Sequence, residues 1–240
     1  MQSQPRALPF VLVGAFAALS VGAIVLSLSS APPLAREELQ SAARTTMSAS
    51  GFVLRDTNSV STVSSSGQPA VSQPSESVAF LVVYEAPDAV QETEVDQNGA
   101  NAEVIALGDR AFRRSGSTWT EVASSRGLGA RSVATILSPL KGAVGATDVT
   151  RHGDRYSFVP ADLHKLLTTV LGAPPSEVSS PRLSAVVRDG VLTAETITAR
   201  VGHQHLEVDL VFSSIGSAPH VVAPRSFVGA GGASSAPTTP

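Results

Sequence analysis

The chain has 240 residues, a net charge of −3 at pH 7 and no cysteine. That length is sufficient for one domain with a substantial core, which has to hold together without disulfides. The negative net charge argues against a nucleic-acid-binding surface, which would be strongly basic. Fifteen arginines against two lysines, with abundant Ala, Ser, Val and Gly, form a composition typical of GC-rich bacterial genomes.

The first feature along the chain is an uncharged apolar run from Leu8 to Leu28. A helix of about 21 residues is roughly 30 Å long, which matches the hydrocarbon core of a bilayer. The run is longer than the apolar part of a secretory signal, and its best small-residue cleavage site, Ser29-Ser30-Ala31, precedes two prolines. We therefore predict that residues 1–31 form an uncleaved signal anchor, with a cleaved signal peptide as the alternative. The chain has no cysteine that a lipoprotein signal could use.

The next segment carries a helical pattern and then strand patterns. Apolar residues at helical spacing predict a helix from Leu34 that ends before Gly51. Ser64–Ser77 has the composition of an exposed linker, and Val78–Pro87 is apolar on both faces, as in a strand covered on both sides. Turn signals at Asn98-Gly99 and Gly108-Asp109 then predict antiparallel hairpins.

The middle of the chain returns to helical spacing. Arg131–Gly142 predicts a helix that Pro139 kinks or ends, and Pro160 opens a second one that closes at Gly172. A turn at Gly153-Asp154 separates two short strands between these helices.

The last third predicts strands again. A hairpin turns at Asp189-Gly190, and the next strand alternates strictly, with Leu206, Val208, Leu210 and Phe212 on one side. We expect residues 229–240 to be a disordered tail and residues 32–228 to be one domain. The predicted fold class is α+β: a large curved antiparallel sheet, or half-barrel, with about three helices as a lid, preceded by the N-terminal transmembrane or signal helix.

Motifs that could carry chemistry are weak. His203-Gln204-His205 with Glu207 and Asp209 offers metal ligands on one strand face, but a solvated face explains the same alternation. Ser138 and Lys141 have the S-x-x-K spacing of penicillin-interacting enzymes without the companion S-D-N and K-T-G elements. Gly127-Leu128-Gly129 lacks the third glycine of a dinucleotide loop. We predict no enzyme, metal or cofactor. A metal or hydrolytic enzyme would require His203 and His205 beside a third ligand in a cleft.

Several segments, taken in order, resemble the LolA-like superfamily, which includes the actinobacterial LppX–LprG lipoproteins and, more distantly, RseB-type periplasmic regulators. The matching segments are Gly51-Phe52, VVYEAPD, ALGDRAFRRSGSTWTEV, ILSPLKGAVGATDVTRHGDRYSF and DGVLTAETITARVGHQHLEVDLVFSSIGSAPHVVAP. Such lipoproteins carry an acylated cysteine. In this chain the apolar run would replace that anchor.

The resemblance implies a half-barrel with helices closing an apolar cavity that takes up acyl chains. Its ligand would be a lipid or an acylated molecule. The candidate cavity residues are Phe80, Val82, Tyr84, Ile136, Leu137, Leu140, Leu163, Leu166 and Leu167. Leu81 and Val83 are the alternative set if the central strand faces the other way. For any one of these residues, core packing is the more common role.

The combined expectation is a single-pass membrane protein whose carboxyl domain lies outside the cytoplasm and carries a lipid or acylated molecule. Arg6 and the short N-terminal segment favour the orientation with the amino terminus inside. If the apolar run is cleaved, the protein is instead a secreted carrier. The alternative function is an envelope sensor or regulator that uses the same fold to bind a partner protein.

Overall fold

The computed structural model describes residues 34–62, 78–96, 99–122, 132–171, 174–229 and 234–235. The apolar run Leu8–Leu28, the predicted linker and Gly127-Leu128-Gly129 lie outside these ranges, as does most of the predicted tail. No helix within these ranges combines the length and apolar character that a membrane crossing requires.

The core of the fold is one sheet of thirteen strands, open at both edges. Its spatial order is β13-β12-β6-β5-β4-β3-β2-β1-β11-β10-β9-β8-β7. Neighbouring strands are antiparallel except β12, which runs parallel to β6. The strands are β1 Gly51–Thr62, β2 Val78–Glu85, β3 Ala89–Asp96, β4 Gly99–Leu107, β5 Arg110–Ser115, β6 Thr118–Val122, β7 Thr147–His152, β8 Arg155–Val159, β9 Val178–Arg188, β10 Val191–Val201, β11 Gln204–Ser213, β12 Phe227–Val228 and β13 Ser234–Ser235.

The helices lie in two groups along the chain. Helix α1, Leu34–Ser48, precedes the sheet. The other three lie between β6 and β9: α2 Val133–Ile136, α3 Ser138–Val144 and α4 Leu163–Leu171. We call α2, α3 and α4 the lid. A 3-10 turn at Pro175–Glu177 leads into β9.

The helices that the structure describes pack on one face of the sheet, which we call the inner face. Leu54 on β1 pairs in register with Val82 on β2 and with Phe212 on β11, and all three side chains are buried in the main core cluster. The helical residues Leu39, Ile136 and Leu140 belong to the same cluster. The predicted alternation of β11 is confirmed from Val208 onward, since Val208, Leu210 and Phe212 are buried between exposed or half-buried neighbours, whereas Leu206 is only half-buried.

The opposite face, which we call the outer face, is only partly covered. Leu81 on β2 is 41% exposed, so this strand is not covered on both faces as its sequence predicted. The reason is that the helices pack on the inner face alone. Farther along, the C-terminal segment, residues 219–228, covers β4 and β5, where Val221 and Phe227 pack with Ile105 and Phe112.

Glu85 fixes the start of this C-terminal segment. Its Oε2 accepts a hydrogen bond from the Val221 amide at 2.9 Å, and its Oε1 lies 2.7 Å from His220 Nδ1. These contacts lower the pKa of Glu85, with the Val221 amide as the larger cause and His220 as the second.

Two helix predictions differ from the structure. The pattern over Arg131–Gly142 forms two short helices, because Leu137 ends α2 and also caps α3, and Pro139 lies in the first turn of α3. The lid therefore has three helices of its own besides α1. Helix α4 begins at Leu163 and not at Pro160, because Asp162 Oδ1 accepts a hydrogen bond from the Lys165 amide at 2.9 Å and so caps the helix.

The predicted hairpin turns are present where the structure describes them. Gly108 and Gly153 have φ values of 61° and 66°, and Asp189-Gly190 has 51° and 75°. Such left-handed conformations suit glycine and tolerate Asp, which explains why these short sequences connect antiparallel strands. The β3–β4 hairpin is also formed, although Asn98 lies outside the described residues.

Helix α1 is joined to the sheet by a buried side chain. Thr46 Oγ1 accepts a hydrogen bond from the Leu192 amide at 2.9 Å and donates to the Leu192 carbonyl at 3.3 Å. Leu192 lies at a register shift between β9 and β10, where the regular ladder is interrupted. One hydroxyl thus satisfies backbone groups that the irregularity leaves without a strand partner.

We expect Thr46→Val to destabilise the fold by about 1–3 kcal/mol, because the buried Leu192 amide loses its acceptor. The measurement is urea unfolding followed by the fluorescence of Trp119, the single tryptophan. Thr45→Val is the matched control, since the exposed Thr45 hydroxyl bonds only within α1. Equal losses in the two variants would contradict this role of Thr46.

Candidate functional site

The candidate site is the space between the inner face and the lid. All nine predicted cavity residues belong to or pack against the main core cluster that joins these layers. Six are buried: Val82, Tyr84, Ile136, Leu140, Leu166 and Leu167. Three are half-buried: Phe80, Leu137 and Leu163. The alternative residue Leu81 faces outward, and Val83 packs in the outer-face cluster.

A small cavity of about 60 Å³ remains between the layers. Its apolar lining comes from β1, β11 and the lid: Leu54, Leu210, Ile136, Pro139 and Val170. Three polar residues complete it: Asp56, Thr135 and Thr169. Of the nine predicted residues only Ile136 lines this cavity. Ligand pockets usually measure about 300–1,000 Å³, so this cavity is smaller than usual. Of the other eight residues, Phe80 lines a space of about 240 Å³ with Leu81, and Leu166 lines one of about 440 Å³ between α3 and α4. The remaining six pack in or against the core cluster.

The floor beside the cavity is aromatic. The Phe52 ring lies 5.0 Å from the Tyr84 ring and 5.4 Å from the Phe212 ring, the latter edge to face. Tyr84 donates its hydroxyl to the Pro87 carbonyl at 3.4 Å, and burial followed by the charge of Asp88 raises its pKa. These contacts make the floor rigid and largely apolar.

Three buried acidic residues on the inner face, Asp56, Glu92 and Glu195, were not predicted as site residues, and two of them flank Leu210. Asp56 on β1 and Glu195 on β10 are 3% and 1% exposed, and each pairs in register with Leu210 on the strand between them. Two strand spacings place their backbones about 10 Å apart. An acid at an inward position of an alternating strand is the signal that would have identified them.

Burial raises the pKa of Glu195 to about 8. Neither carboxylate oxygen has a hydrogen-bond partner among the described residues. The carboxyl group is therefore mostly protonated at neutral pH, which avoids the large cost of an isolated buried charge.

The lid and α1 are attached to the sheet in different ways. The side-chain hydrogen bonds described for the lid are local, as between Ser132 and Thr135 and between Thr168 and the His164 carbonyl. Within the lid, α3 and α4 pack closely, because a Cβ on Gly142 would lie 3.2 Å from the Leu166 side chain. The lid is thus a tight helical unit that meets the sheet mainly through apolar contacts.

The histidine-containing segment lies elsewhere. His205, Glu207 and Asp209 lie on the outer face of β11, opposite the buried alternation. Asp209 accepts a hydrogen bond from Thr196 Oγ1 at 2.8 Å. In the part of the chain that the structure describes, no group of three His, Asp or Glu side chains is arranged to hold a metal ion.

The fold is similar to two solved mycobacterial structures. The lipoprotein LppX of Mycobacterium tuberculosis matches at a TM-score of 0.51 and 14% identity, over 80% of this chain and 100% of that one. LprF of Mycobacterium bovis matches at a TM-score of 0.52 and 14% identity, over 80% and 98%. The chain therefore shares its fold with these two structures, which agrees with the fold that the sequence resemblance predicted.

Comparison of the sequence with protein families and curated proteins gives no match. No protein-family model matches the chain. No curated protein matches it either. At 14% identity the structural similarity defines the fold and leaves the function to be argued from the site.

We expect the stability of the protein to fall as the pH rises from about 4.5 to about 8, because folded Glu195 retains a proton that the unfolded chain releases near 4.5. The stabilisation by Glu195 is complete below about pH 4.5 and is lost as the pH rises through about 8. Between these values the free energy of unfolding falls by up to about 1.4 kcal/mol per pH unit. Urea unfolding at pH 5 and pH 8 measures it. Glu195→Gln should reduce the difference between the two pH values, whereas Glu207→Gln on the outer face should retain it. An unchanged difference in Glu195→Gln would show that this carboxyl does not control the pH dependence.

Proposed function

We propose that the protein is a membrane-tethered, extracytoplasmic carrier that binds a lipid or an acylated molecule between the sheet and the lid, and that it is not an enzyme. The observation that carries this proposal is the LolA-like sheet with an apolar helical lid on its inner face, around a cavity lined by Leu54, Ile136, Val170 and Leu210. The similarity in fold to the lipoprotein LppX supports it.

Binding would proceed by sequestering acyl chains from water. Burial of a methylene stabilises by about 0.8 kcal/mol, and this gain nearly cancels when a chain moves from a bilayer to an apolar cavity. Loading and unloading then need no nucleotide or cofactor. Transfer depends on the relative affinity of membrane and cavity.

Binding also requires the lid to move. The cavity of about 60 Å³ is smaller than ligand pockets of about 300–1,000 Å³. Because the lid meets the sheet through apolar side chains, an acyl chain can replace those contacts with others of the same kind. The predicted residues Leu137, Leu140, Leu163, Leu166 and Leu167 would then contact the ligand in the open state, together with Phe80, Val82 and Tyr84 on the sheet.

We expect Val170→Trp to weaken acyl binding about tenfold or more, because the larger ring occupies the space between lid and sheet that the ligand has to enter. The measurement is photo-crosslinking of a diazirine-labelled fatty acyl probe to the full-length chain, with mass spectrometry of the labelled peptides. Leu81→Trp on the outer face is the control and should leave the yield unchanged. Labelling of outer-face residues in place of Leu54, Ile136 or Leu210 would contradict binding under the lid.

The apolar run Leu8–Leu28 would hold the carrier at the membrane, with the amino terminus inside and residues 32–228 outside the cytoplasm. The tether takes the place of the acylated cysteine of a lipoprotein. A cleaved signal would give a free carrier instead.

We expect the chain to stay in the membrane pellet after alkaline carbonate extraction and to retain its original amino terminus. Ala17→Arg with Val21→Arg should move it to the soluble fraction, because each central arginine costs about 2.5–3.5 kcal/mol in a spanning helix. Ser3→Arg with Gln4→Arg, outside the run, is the matched control. A mature amino terminus just after Ala31 would establish the cleaved signal.

A second candidate, a sensor that binds a partner protein, is favoured by the small cavity and by two partly exposed apolar residues on the outer face. Arg55 pairs in register with Leu81 on one side and Val211 on the other, and these two side chains are 41% and 47% exposed. A photo-crosslinker at position 81 that yields a stoichiometric protein adduct, with no acyl labelling under the lid, would support this candidate over the carrier.

A further inference from the structure

The two lysines of the chain lie in one groove on the lid. Lys141 and Lys165 are the only lysines among 240 residues. They line the same space of about 440 Å³ between α3 and α4. The other fifteen positively charged side chains are all arginines, so the placement of both lysines in one groove indicates a shared chemical role.

Each helix contributes a matching pair of donors to the groove. Helix α3 presents Ser138 and Lys141, three residues apart, and α4 presents Lys165 and Thr169, four residues apart. Residues at these spacings lie on the same side of a helix, so two hydroxyls and two ammonium groups converge on one space. The S-x-x-K spacing noted in the sequence thus forms half of this arrangement.

The charge of the groove is available to a ligand. Neither lysine ammonium forms an ion pair within the part of the chain that the structure describes. Asp162, the one acidic residue among the described residues of the lining, uses its Oδ1 to cap α4 through the Lys165 amide. Two cations against one carboxylate leave a positive balance, which favours an anion.

The groove adjoins the cavity beneath the lid. Thr135 and Thr169 line both spaces, so these two side chains alone are common to the polar groove and the apolar cavity. A ligand with an anionic head and an acyl tail would fit a polar groove that adjoins an apolar cavity. Its head would lie between the lysines, and its tail would pass the threonines toward Leu54 and Leu210.

We propose that the Lys141–Lys165 groove is the binding site for the phosphate or carboxylate headgroup of the acyl ligand. This inference rests on the proposed carrier function and specifies its ligand as an anionic amphiphile. Lysine ammonium groups and hydroxyls donate hydrogen bonds to such oxygens, and a charge-assisted bond is about twice as strong as a neutral one. The headgroup would stay at the surface, and the acyl chain would account for most of the binding.

The experiment compares probes that differ only in the headgroup. The full-length chain is reconstituted in phosphatidylcholine nanodiscs and photo-crosslinked with a diazirine-labelled phosphatidic acid or with the diacylglycerol of the same chains. Inorganic phosphate serves as a competitor. Lys141→Gln with Lys165→Gln removes both cations of the groove while keeping hydrogen-bond donors.

A second groove provides the matched control. Arg155 and Arg182 line a space of about 520 Å³ with Ser157 and Ser184, and this space shares no lining residue with the cavity. Neither arginine forms an ion pair among the described residues. Arg155→Gln with Arg182→Gln therefore removes the same charge from a comparable groove elsewhere.

We expect the double lysine variant to raise the half-saturating concentration of phosphatidic acid about tenfold or more, and that of diacylglycerol by less than about twofold. The double arginine variant should match the wild type with both probes. Higher ionic strength should reduce the preference for phosphatidic acid in the wild type, because the site is exposed to solvent. An unchanged urea midpoint confirms that each variant is folded.

Each other outcome overturns a defined part of the proposal. No loss in the lysine variant, or an equal loss for both probes, overturns the headgroup site and leaves the carrier function standing. Absence of labelling by both probes in the wild type overturns the carrier function and the headgroup site together. Lysine-dependent binding of inorganic phosphate without phosphatidic acid labelling identifies free phosphate as the ligand and overturns the assignment to a lipid.

Discussion

An open sheet with an apolar inner face has to be covered, and this requirement determines the position of every helix described. The two edges of the sheet, β13 and β7, do not pair with one another, so the inner face cannot be shielded by closure into a barrel. Helix α1 and the lid supply the cover, and their buried residues form one cluster with the strands. The outer face lacks such cover around Leu81 and Val211, which remain partly exposed.

The cover differs in strength from place to place. Helix α1 is fixed by the buried Thr46 hydroxyl at an irregularity of the sheet, whereas the lid combines local hydrogen bonds with apolar contacts. Apolar contacts have no preferred direction, so they can be exchanged for contacts with a ligand at little cost. The proposed carrier function needs this division, because one helix would have to preserve the sheet while the lid opened.

Sequence patterns predicted the sheet better than the site. The period-2 alternation of β11 and the turn at Asp189-Gly190 are local properties of the chain, and both were predicted correctly. Leu54 and Leu210 line the cavity together because β1 and β11 are neighbours in the sheet, although these strands are far apart in sequence. Ile136 lines the same cavity from helix α2, which lies between the two strands along the chain. Burial of Glu195 was not predicted, because acids usually lie outside unless tertiary packing places them inward.

The distribution of charge determines how a ligand would be oriented in the proposed site. Buried acidic side chains lie on the inner face at Asp56, Glu92 and Glu195, whereas the two lysines lie on the outside of the lid. An anionic headgroup that followed its acyl chain inward would lose its hydration in a medium of low polarity, where the mostly protonated Glu195 offers no compensating cation. The same headgroup is stabilised between the lysines in contact with water. This loss of hydration would oppose complete entry of the ligand, and the lysines would hold its polar end at the surface, where a bilayer or a partner could receive it.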